Sequence, residues 1–253
     1  MIEICALASG SNGNCYYIGN KDSAVLIDVG INYRRIVERF SATNLRIEKV
    51  KAAFISHEHY DHIIGMRVLS KKRQITGIFS KKTYNKVQSN SKPELYAIFE
   101  TNKSYKIDGI NVIPFAKQHN AVDPHSFIVE IEGKTIGVMT DIGVITEEIG
   151  EQIAKCDALF LEANYDGKML WEGKYPYYLK QRVSSDIGHL SNEQAKNAVL
   201  KYGSDKLQYI FLSHISAENN TLELAYKTFS DIAKTKKIIL TSRQRATEVI
   251  MFN

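Results

Sequence analysis

The chain of 253 residues contains only three cysteines and four prolines. The small number of cysteines limits the classes of protein to which the chain can belong. Cys5, Cys15 and Cys156 are odd in number and far apart, with no C-x-x-C pair, which argues against a disulfide framework or a thiolate metal site. A reducing compartment suits such thiols, so we expect a cytoplasmic protein. No apolar run approaches the roughly 18 residues of a membrane-spanning helix, and we expect no membrane association.

The sequence also lacks any low-complexity or Pro/Gly/Ser-rich stretch that would be typical of a linker. Hydrophobic residues make up 44% of the chain, enough to bury a sizeable core. We therefore expect a single domain over residues 1–253. The formal net charge of +5 favours anionic partners only mildly, because modest basicity is common on solvated surfaces.

Short β-rich runs alternate with helical patterns along the chain. Strands are predicted at 2–8, 24–30, 50–56, 110–116, 126–133, 135–141, 158–163, 209–214 and 237–242. Helices are predicted at 33–42, 144–155, 191–203 and 221–235. Several strands are apolar on consecutive residues, which indicates that both of their faces are covered, so this order favours a layered α/β sandwich.

Polar residues that can take part in chemistry follow the apolar strands, at the points where the strands end. They are Asp28, His57, Asp141, Glu162 and His214. A single polar residue at a strand end often marks only the boundary with solvent. Five such residues together predict a functional site built on one edge of a sheet.

The segment "SHEHYDH" concentrates three of the seven histidines of the chain. His57 and His59 share a side if the segment is extended, whereas Asp61 and His62 follow in a turn or helix start. This spacing can serve two metal ions, and imidazole with carboxylate suits zinc, manganese or iron(II). The alternative is a chance cluster on a solvated loop. The polar residues at the strand ends argue against this alternative, because they would supply the rest of a metal site.

With these motifs the sequence resembles the metallo-β-lactamase superfamily, and within it the YycJ/WalJ-like branch. The resemblance covers nearly the whole chain and rests on "ASGSNGNCYYI", "LIDVG", "SHEHYDH", "KQHNAVDPHSF", "MTDIG", "LEANYD", "GHLSNEQA" and "LSHISAENN". It implies the four-layer αββα sandwich of that fold. The interval between Asp141 and His214 is too short for an inserted β-CASP domain, such as that of ribonuclease J.

The resemblance also implies a dinuclear metal site that takes two divalent ions, Zn or Mn, with Fe as a further option. Its implied ligands are His57, His59 and His119 for one ion, Asp61, His62 and His214 for the other, and Asp141 as the bridge. Asp28 is expected to orient the histidine loop. Asn120 departs from the aspartate found in many relatives, and His125 receives no role.

Glu162 and His189 resemble the glutamate–histidine pair of ribonuclease Z, in which the histidine protonates the leaving oxygen. The alternative is a buried glutamate beside a histidine at a helix entrance. We assign Glu162 and His189 catalytic roles, together with Asp61, and the pair favours phosphodiester cleavage.

Two segments are candidates for contact with the substrate strand. In residues 165–182 aromatic side chains alternate with cations, a pattern typical of nucleic-acid surfaces, although it also suits a packed lid. Its candidate contacts are Lys174, Tyr177, Lys180 and Arg182. The second segment is the loop "SGSNGN", whose candidate contacts are Ser11 and Asn12. Its backbone N–H groups would cradle a phosphate, and they belong to Gly10, Ser11, Gly13 and Asn14. The alternative is that the loop is only a tight turn between two strands.

The branch resemblance implies a 5′-to-3′ exonuclease that acts on double-stranded DNA. Alternatives on the same metal centre are a small-molecule hydrolase, such as a cyclic phosphodiesterase or thioesterase, and a ribonuclease. A redox diiron protein would replace His59 by glutamate. A catalytically inactive binding module would not need the complete ligand set.

Overall fold

The computed structural model describes residues 1–252, in which strands and helices alternate. The strands are β1 (Ile2–Ala8), β2 (Cys15–Gly19), β3 (Ala24–Ile27), β4 (Val50–Phe54), β5 (Thr76–Ser80), β6 (Tyr96–Phe99), β7 (Tyr105–Ile107), β8 (Ile110–Ala116), β9 (His125–Ile131), β10 (Lys134–Met139), β11 (Ala158–Glu162), β12 (Tyr209–Ser213), β13 (Lys237–Leu240) and β14 (Ile250–Phe252).

The helices are shorter on average than the sequence predicts. They are α1 (Tyr33–Thr43), α2 (Tyr60–Ile63), α3 (Met66–Arg73), α4 (Lys81–Lys86), α5 (Glu147–Lys155), α6 (Gly167–Glu172), α7 (Tyr177–Val183), α8 (Asn192–Tyr202) and α9 (Leu222–Thr228). Short 3-10 helices span Ile47–Lys49 and Ile232–Lys234. Within residues 1–252, no helix has both the length and the apolar character needed to cross a bilayer.

The predicted strands all form, mostly with one to three residues trimmed from their ends. Five further strands, β2, β5, β6, β7 and β14, are absent from the sequence prediction because runs of three to five residues carry too little periodicity to be distinguished from loop. The prediction of one helix over 221–235 is wrong. That helix breaks after Thr228, where Ser230 and Asp231 are weak helix formers, and it resumes only as a 3-10 turn.

The chain divides into two compact units. The first unit comprises Met1–Ala116, Ala121–Gly133 and the segment from Ser242 to the C-terminus. Its seven-stranded sheet has the order β14-β1-β2-β3-β4-β5-β6, in which β3 to β6 are parallel neighbours. Strands β7, β8 and β9 form an antiparallel set in the same unit.

Parallel pairing in the first unit brings two of the predicted site segments to one sheet edge. Ile27 at the end of β3 pairs with Phe54 at the end of β4. Asp28 and the histidine loop therefore leave neighbouring strands side by side. Phe79 and Tyr17 are among the fully buried side chains of the core beneath them.

The second unit comprises Lys117–Asn120 and Lys134–Thr241. Strands β10, β11, β12 and β13 pair in that order and are all parallel. The carboxyl ends of parallel strands lie at the same edge, and Met139, Glu162 and Ser213 end three adjacent strands here. The edge thus gathers Asp141, Glu162 and His214.

The helix predicted at 191–203 is present almost unchanged as α8. Ser191 Oγ accepts a hydrogen bond from the backbone N–H of Gln194, and the Gln194 side chain accepts one from the Ser191 N–H. This capping box fixes the start of the helix just after "GHL", so it also fixes the backbone that carries His189.

Candidate metal centre

Asp28 organises the histidine loop of the first unit. Its carboxylate accepts hydrogen bonds from the backbone N–H of Ser56 at 2.8 Å and from Ser56 Oγ at 2.9 Å. The same carboxylate lies 2.7 Å from Nδ1 of His62, and both side chains are fully buried. This bond engages Nδ1 of His62 and leaves Nε2 as the ring atom that can bind a metal ion.

The other histidines of the loop lie against this buried pair. Ser56 Oγ is 2.8 Å from Nδ1 of His57, and Nε2 of His57 is 3.0 Å from Nδ1 of His59. The rings of His57 and His62 are centred 4.1 Å apart. Sequence reasoning assigned no role to Ser56, although its place between a strand and the first histidine made it a candidate support.

Asn14 joins the glycine-rich loop to the metal-binding motif. Its backbone N–H donates to the Asp61 carbonyl at 2.8 Å, and Nδ2 lies 3.1 Å from Nε2 of His62. Gly30 passes so close to the motif that a Cβ there would lie 1.6 Å from the Asp61 carbonyl oxygen, so only glycine fits. The sequence predicts only a backbone N–H of Asn14 in a possible phosphate cradle, and it gives no role to the Asn14 side chain.

The hydrogen bonds of this loop favour the tight turn over a phosphate cradle. The N–H of Gly10 donates to Asn14 Oδ1, that of Gly13 donates to the Gly10 carbonyl, and that of Asn14 donates to Asp61. Three of the four N–H groups considered for the cradle are therefore engaged within the protein. Ser11 and Asn12, the predicted substrate contacts, are exposed.

Asp141 lies among three imidazoles in the second unit. Its Oδ1 is 3.4 Å from Nε2 of His214, 3.8 Å from Nε2 of His119 and 3.9 Å from Nδ1 of His189. The rings of His189 and His214 stack with centroids 5.2 Å apart. The four side chains predicted at separate points of this part of the sequence thus come together.

Glu162 holds two of these histidines through one oxygen. Its Oε1 lies 2.8 Å from Nδ1 of His189 and 3.1 Å from Nδ1 of His214. Its Oε2 accepts backbone N–H bonds from Ile142 at 2.7 Å and Leu190 at 3.3 Å. Burial alone would raise the pKa of Glu162, but the charge and hydrogen bonds of His189 and His214 lower it below its usual value.

Three of the residues that follow strands have left-handed backbone conformations. The φ angle is 61° at Asp28, 53° at Asp141 and 55° at His214. Non-glycine residues seldom adopt this conformation, although aspartate and histidine do so more often than most. Each turns the chain at the edge of a sheet, and such uncommon backbone conformations often mark functional sites.

The loop that carries His119 also contains a buried lysine, Lys117. Lys117 Nζ donates to the Thr140 carbonyl at 2.6 Å, which ties this loop to the residue before Asp141. Nδ1 of His119 lies 3.1 Å from the Gly188 carbonyl, and the N–H of Asn120 donates to Ile187. Burial lowers the pKa of His119 to about 3, so its imidazole is neutral at physiological pH.

Buried asparagines form hydrogen bonds that connect the loops that carry His189 and His214. Asn192 and Asn220 exchange side-chain hydrogen bonds at 3.1 and 2.9 Å. Asn220 Nδ2 also donates to the Ala163 and Asn164 carbonyls, and Asn164 Nδ2 donates to the His214 carbonyl at 2.8 Å. These asparagines lie in the motifs "LEANYD", "GHLSN" and "SHISAENN", in which the sequence predicts roles only for Glu162, His189 and His214.

Residues 165–182 contain the short helix α6 and most of the short helix α7. Tyr177 is 67% exposed and Trp171 is 48% exposed, while Lys174 and Arg182 are also exposed. Lys180 Nζ instead donates to the Trp171 carbonyl at 2.7 Å, which ties α7 to α6. A cavity of about 420 Å³ lies beside Lys174.

His125 begins β9 and is buried. Its Nε2 lies 2.8 Å from Thr101 Oγ1, and its ring packs edge-on against Phe99. These contacts agree with the absence of an assigned role, since they describe an ordinary strand residue.

The donors in the second unit suit a divalent ion. In the second unit, ligand atoms of Asp141, Glu162, His189 and His214 all lie within 4.8 Å of one another. Carboxylates engage Nδ1 of His62 in the first unit and of His214 in the second, a common way to orient a metal-binding imidazole. Neutral imidazoles with a buried carboxylate match zinc or manganese chemistry.

Comparisons with known proteins agree with this chemistry. The family described as "Beta-lactamase superfamily domain" matches residues 23–215. Exodeoxyribonuclease WalJ of Streptococcus pneumoniae serotype 2 (strain D39 / NCTC 7466) is 34% identical over 231 residues, which cover 88% of this chain and 84% of that protein. Exodeoxyribonuclease YycJ of Bacillus anthracis is 31% identical over 238 residues, which cover 93% and 90%.

A solved structure agrees with the fold prediction. The metallo-beta-lactamase fold protein YhfI from Bacillus subtilis matches this chain with a TM-score of 0.73 at 13% identity, over 97% of this chain and 98% of that one. The predicted α/β fold class is therefore confirmed. The chain belongs to the metallo-β-lactamase superfamily of metal-dependent hydrolases, and within it to the branch that contains WalJ and YycJ.

Proposed function

We propose that this chain is an exonuclease that hydrolyses double-stranded DNA in the 5′-to-3′ direction. The observation that carries the proposal is the 2.8 Å contact between Glu162 Oε1 and Nδ1 of His189. A leaving alkoxide needs a proton, whereas the good leaving groups of many other hydrolase substrates do not. A histidine held by a carboxylate beside the proposed metal ligands therefore favours phosphodiester cleavage.

His189 has the geometry of a proton donor. Its Nδ1 is engaged by Glu162, so Nε2 is the atom that would hold the proton for the departing oxygen. Its side chain is 22% exposed, whereas that of Glu162 is fully buried. The partial exposure gives a substrate access to the ring.

The proposed metal ligands are the seven residues that the family resemblance assigns. They are His57, His59 and His119 for one ion, Asp61, His62 and His214 for the other, and Asp141 between them. When bound, two divalent ions would activate a water molecule and stabilise the charge that develops on the phosphoryl group. Zinc and manganese both suit these donors, and iron is a further candidate.

Several residues of the chain hold these ligands in place. Asp28 and Asn14 contact His62, and Glu162 contacts His214.

We also propose a catalytic role for Asp61, whose side chain is 23% exposed and lies 3.5 Å from Nε2 of His62. A carboxylate at that position can orient the attacking water as well as bind metal.

We propose that α6 and α7 contact the substrate strand. Exposed aromatic rings, among them Tyr177, provide stacking surfaces for bases, and Lys174 and Arg182 provide cations for phosphates. Ser11 and Asn12 remain candidate contacts because both are exposed beside the loop that supports Asp61. Within this surface the Lys180 side chain links α7 to α6 through its hydrogen bond to the Trp171 carbonyl.

The choice of DNA is supported by the names of the relatives. WalJ and YycJ are both exodeoxyribonucleases, and each is similar to this chain over more than four-fifths of its length. A DNA substrate also agrees with the cytoplasmic location expected from the thiols. The competing function on the same donors is a ribonuclease or a small-molecule hydrolase.

A substrate panel tests the proposed function. Purified protein would be supplied with Mn²⁺ or Zn²⁺ and given end-labelled duplex DNA, RNA, a cyclic nucleotide, a thioester and bis-p-nitrophenyl phosphate. We expect early release of a 5′ label from duplex DNA, late release of a 3′ label, and complete loss of activity on chelation. Faster turnover of RNA or of a small molecule would overturn the choice of DNA.

Two variants separate the metal site from the rest of the proposal. Asp141→Ala should lose bound metal and activity together, as measured by elemental analysis and DNA hydrolysis. Asp186→Ala is the matched control, because Asp186 is an exposed aspartate of the same unit. Full activity of Asp141→Ala with one ion or none would refute a dinuclear centre.

A further inference from the structure

The first unit carries the whole net positive charge of the chain. It contains 19 Lys and Arg residues against 14 Asp and Glu residues, and the difference (19 − 14) equals the formal charge of +5 of all 253 residues. Residues 62–93 alone supply eight of these cations and no carboxylate. A surface with such an imbalance attracts polyanions.

Part of this charge lies at the sheet edge that carries the histidine loop. Strands β3, β4 and β5 are parallel neighbours, so their carboxyl ends meet at one edge. Asp28 follows β3 directly, His57 lies three residues after β4, and Lys81 follows β5 directly. Helix α4 therefore begins at the end of the strand next to the one that leads into the metal-binding motif.

The outward face of α4 consists mainly of lysine. Lys81, Lys82, Asn85 and Lys86 are exposed, whereas Thr83 is buried. Three of the four exposed positions of this short helix are thus cations. Two of them, Lys81 and Lys82, lie in the first turn, where cations are unfavourable, so these side chains do not serve the stability of α4 itself.

Little within the protein competes for these ammonium groups. Lys82 Nζ lies 3.6 Å from Asp123 Oδ1, but the lysine side chain is 70% exposed, and ion pairs at the surface are weak. Within residues 1–252, neither Lys81 nor Lys86 forms an ion pair with a carboxylate. All three lysines can therefore bind an external anion without the loss of a strong internal contact.

Hydrogen bonds hold α4 beside the histidine loop. Thr83 Oγ1 donates to the Asp123 carbonyl at 3.3 Å, and the N–H of His125 donates to the Ser56 carbonyl at 3.0 Å. Ser56 directly precedes His57, and its Oγ lies 2.8 Å from Nδ1 of that ring. The three residues from Asp123 to His125 thus connect α4 to the backbone that carries the first histidine of the motif.

We propose that Lys81, Lys82 and Lys86 bind the phosphate backbone of duplex DNA next to the end that is hydrolysed. This inference rests on the proposed function, because the charge of α4 alone would suit any polyanion. Duplex DNA carries about one negative charge per 1.7 Å of its axis, so a duplex whose end reaches the histidine loop brings further phosphates to the neighbouring strand ends. Such contacts position the duplex without reading its sequence.

Charge-neutralising variants test this contact. Fluorescence anisotropy over a salt series would measure binding of the metal-loaded chain to a duplex whose terminal linkages are phosphorothioates, which slow hydrolysis. Lys81→Gln/Lys82→Gln/Lys86→Gln should reduce the slope of log K against log salt by about two to three units, since each lost phosphate contact removes about one unit. Lys81→Arg/Lys82→Arg/Lys86→Arg should keep the original slope, because arginine also neutralises a phosphate.

The matched control is Lys21→Gln/Lys71→Gln/Lys72→Gln. It removes the same charge from exposed lysines of the same unit at the opposite edge of the sheet, because Lys21 precedes β3, and Lys71 and Lys72 precede β5. Its slope should stay close to that of the unaltered chain.

The outcomes separate this inference from the proposed function. If the unaltered chain binds and hydrolyses duplex DNA but the glutamine variant of α4 has the same slope as the control, the lysines of α4 do not contact the substrate and the proposed function stands. If the unaltered chain neither binds nor hydrolyses duplex DNA, the proposed function is wrong and this inference is wrong with it.

Discussion

Glu162 Oε1 lies 2.8 Å from Nδ1 of His189, and the same oxygen lies 3.1 Å from Nδ1 of His214. One carboxylate therefore supports a proposed proton donor and a proposed metal ligand at once. The two histidines differ in their surroundings, because the His189 side chain is 22% exposed and that of His214 only 3%. This difference suits contact with substrate at His189 and metal binding at His214.

The substitution His189→Ala separates proton donation from metal binding. It should keep the bound metal and the fold, yet lower kcat on duplex DNA by roughly 10²- to 10⁴-fold. The deficit should nearly vanish on bis-p-nitrophenyl phosphate, because p-nitrophenolate leaves without a proton at neutral pH. Elemental analysis and kinetics on both substrates provide the measurement.

The comparison variant for this experiment is His214→Ala. It should lose metal and slow both substrates equally, since a missing metal ligand does not depend on the leaving group. If His189→Ala also slowed both substrates equally at full metal occupancy, His189 would position the phosphate and would not donate the proton.

Glu162→Gln should have a broader effect than His189→Ala because of the shared oxygen. Loss of the negative charge weakens the support of His214, and such changes typically cost 10- to 100-fold in metal affinity. We expect reduced metal affinity together with reduced kcat on DNA. Metal titration by calorimetry checks the first effect, and an affinity equal to that of the unaltered chain would show that His214 does not depend on Glu162.

With metal ions in saturating excess, the double variant Glu162→Gln/His189→Ala should be little slower than the more impaired single variant, because residues that act as one unit are not additive. Multiplied effects on kcat would instead indicate that the two residues act separately.

Much of the fold was predictable because its strands are apolar and end in unusual polar residues. The central strands β8, β11 and β12 lie where the sequence places them, within one residue at each end. Parallel pairing then explains how Asp141, Glu162 and His214 meet at one edge, although 73 residues of sequence (214 − 141) separate the first from the last.

The supporting residues were less predictable. Asn14, Ser56 and Asn220 are small polar residues of types that are common in exposed loops, and only the folded chain brings them to buried partners. The short edge strands were missed for a related reason. Three or four residues, as in β14 or β6, carry too little periodicity to be distinguished from loop.

Neutralising the exposed cations of α6 and α7 should change the salt dependence of DNA binding. Lys174→Ala/Arg182→Ala should reduce the slope of log K against log salt by about one to two units, since each lost phosphate contact removes about one unit. Fluorescence anisotropy over a salt series, with metal omitted to prevent hydrolysis, measures the slope. The variant Lys227→Ala/Lys234→Ala, at exposed lysines of the same unit, should leave it unchanged. An unchanged slope for Lys174→Ala/Arg182→Ala would make the two helices a structural cover.

Asn220→Ala should destabilise the second unit. The substitution removes hydrogen bonds to the Ala163 and Asn164 carbonyls and to Asn192, and leaves those buried acceptors without that donor. We expect a loss of about 2–3 kcal/mol in the free energy of unfolding. Urea denaturation measures it, with Asn197→Ala on the exposed face of α8 as the control expected within about 0.5 kcal/mol. A change of that small size at Asn220 would mean that the loops do not depend on this amide.

The three buried thiols should make the chain resistant to alkylation and sensitive to alkali. Burial raises the pKa of Cys5 to about 11, of Cys156 to about 12, and of Cys15 further still, from a usual value of 9.0. Thiolates are the reactive form, so at pH 8 iodoacetamide should label the folded chain far more slowly than the unfolded one.

The same shifts fix the sign of the pH dependence of stability. Below about pH 9 both states carry neutral thiols, so these groups do not change the free energy of unfolding there. As the pH rises from 9 toward 11 and 12, the unfolded state releases protons that the folded state keeps, and stability falls. The variant Cys5→Ala/Cys156→Ala should therefore lose less stability than the unaltered chain between pH 9 and pH 11, as measured by urea denaturation at each pH. Parallel curves for the two proteins would assign the alkaline loss to other groups, of which Tyr17 is the first candidate because burial and Glu3 raise its pKa as well.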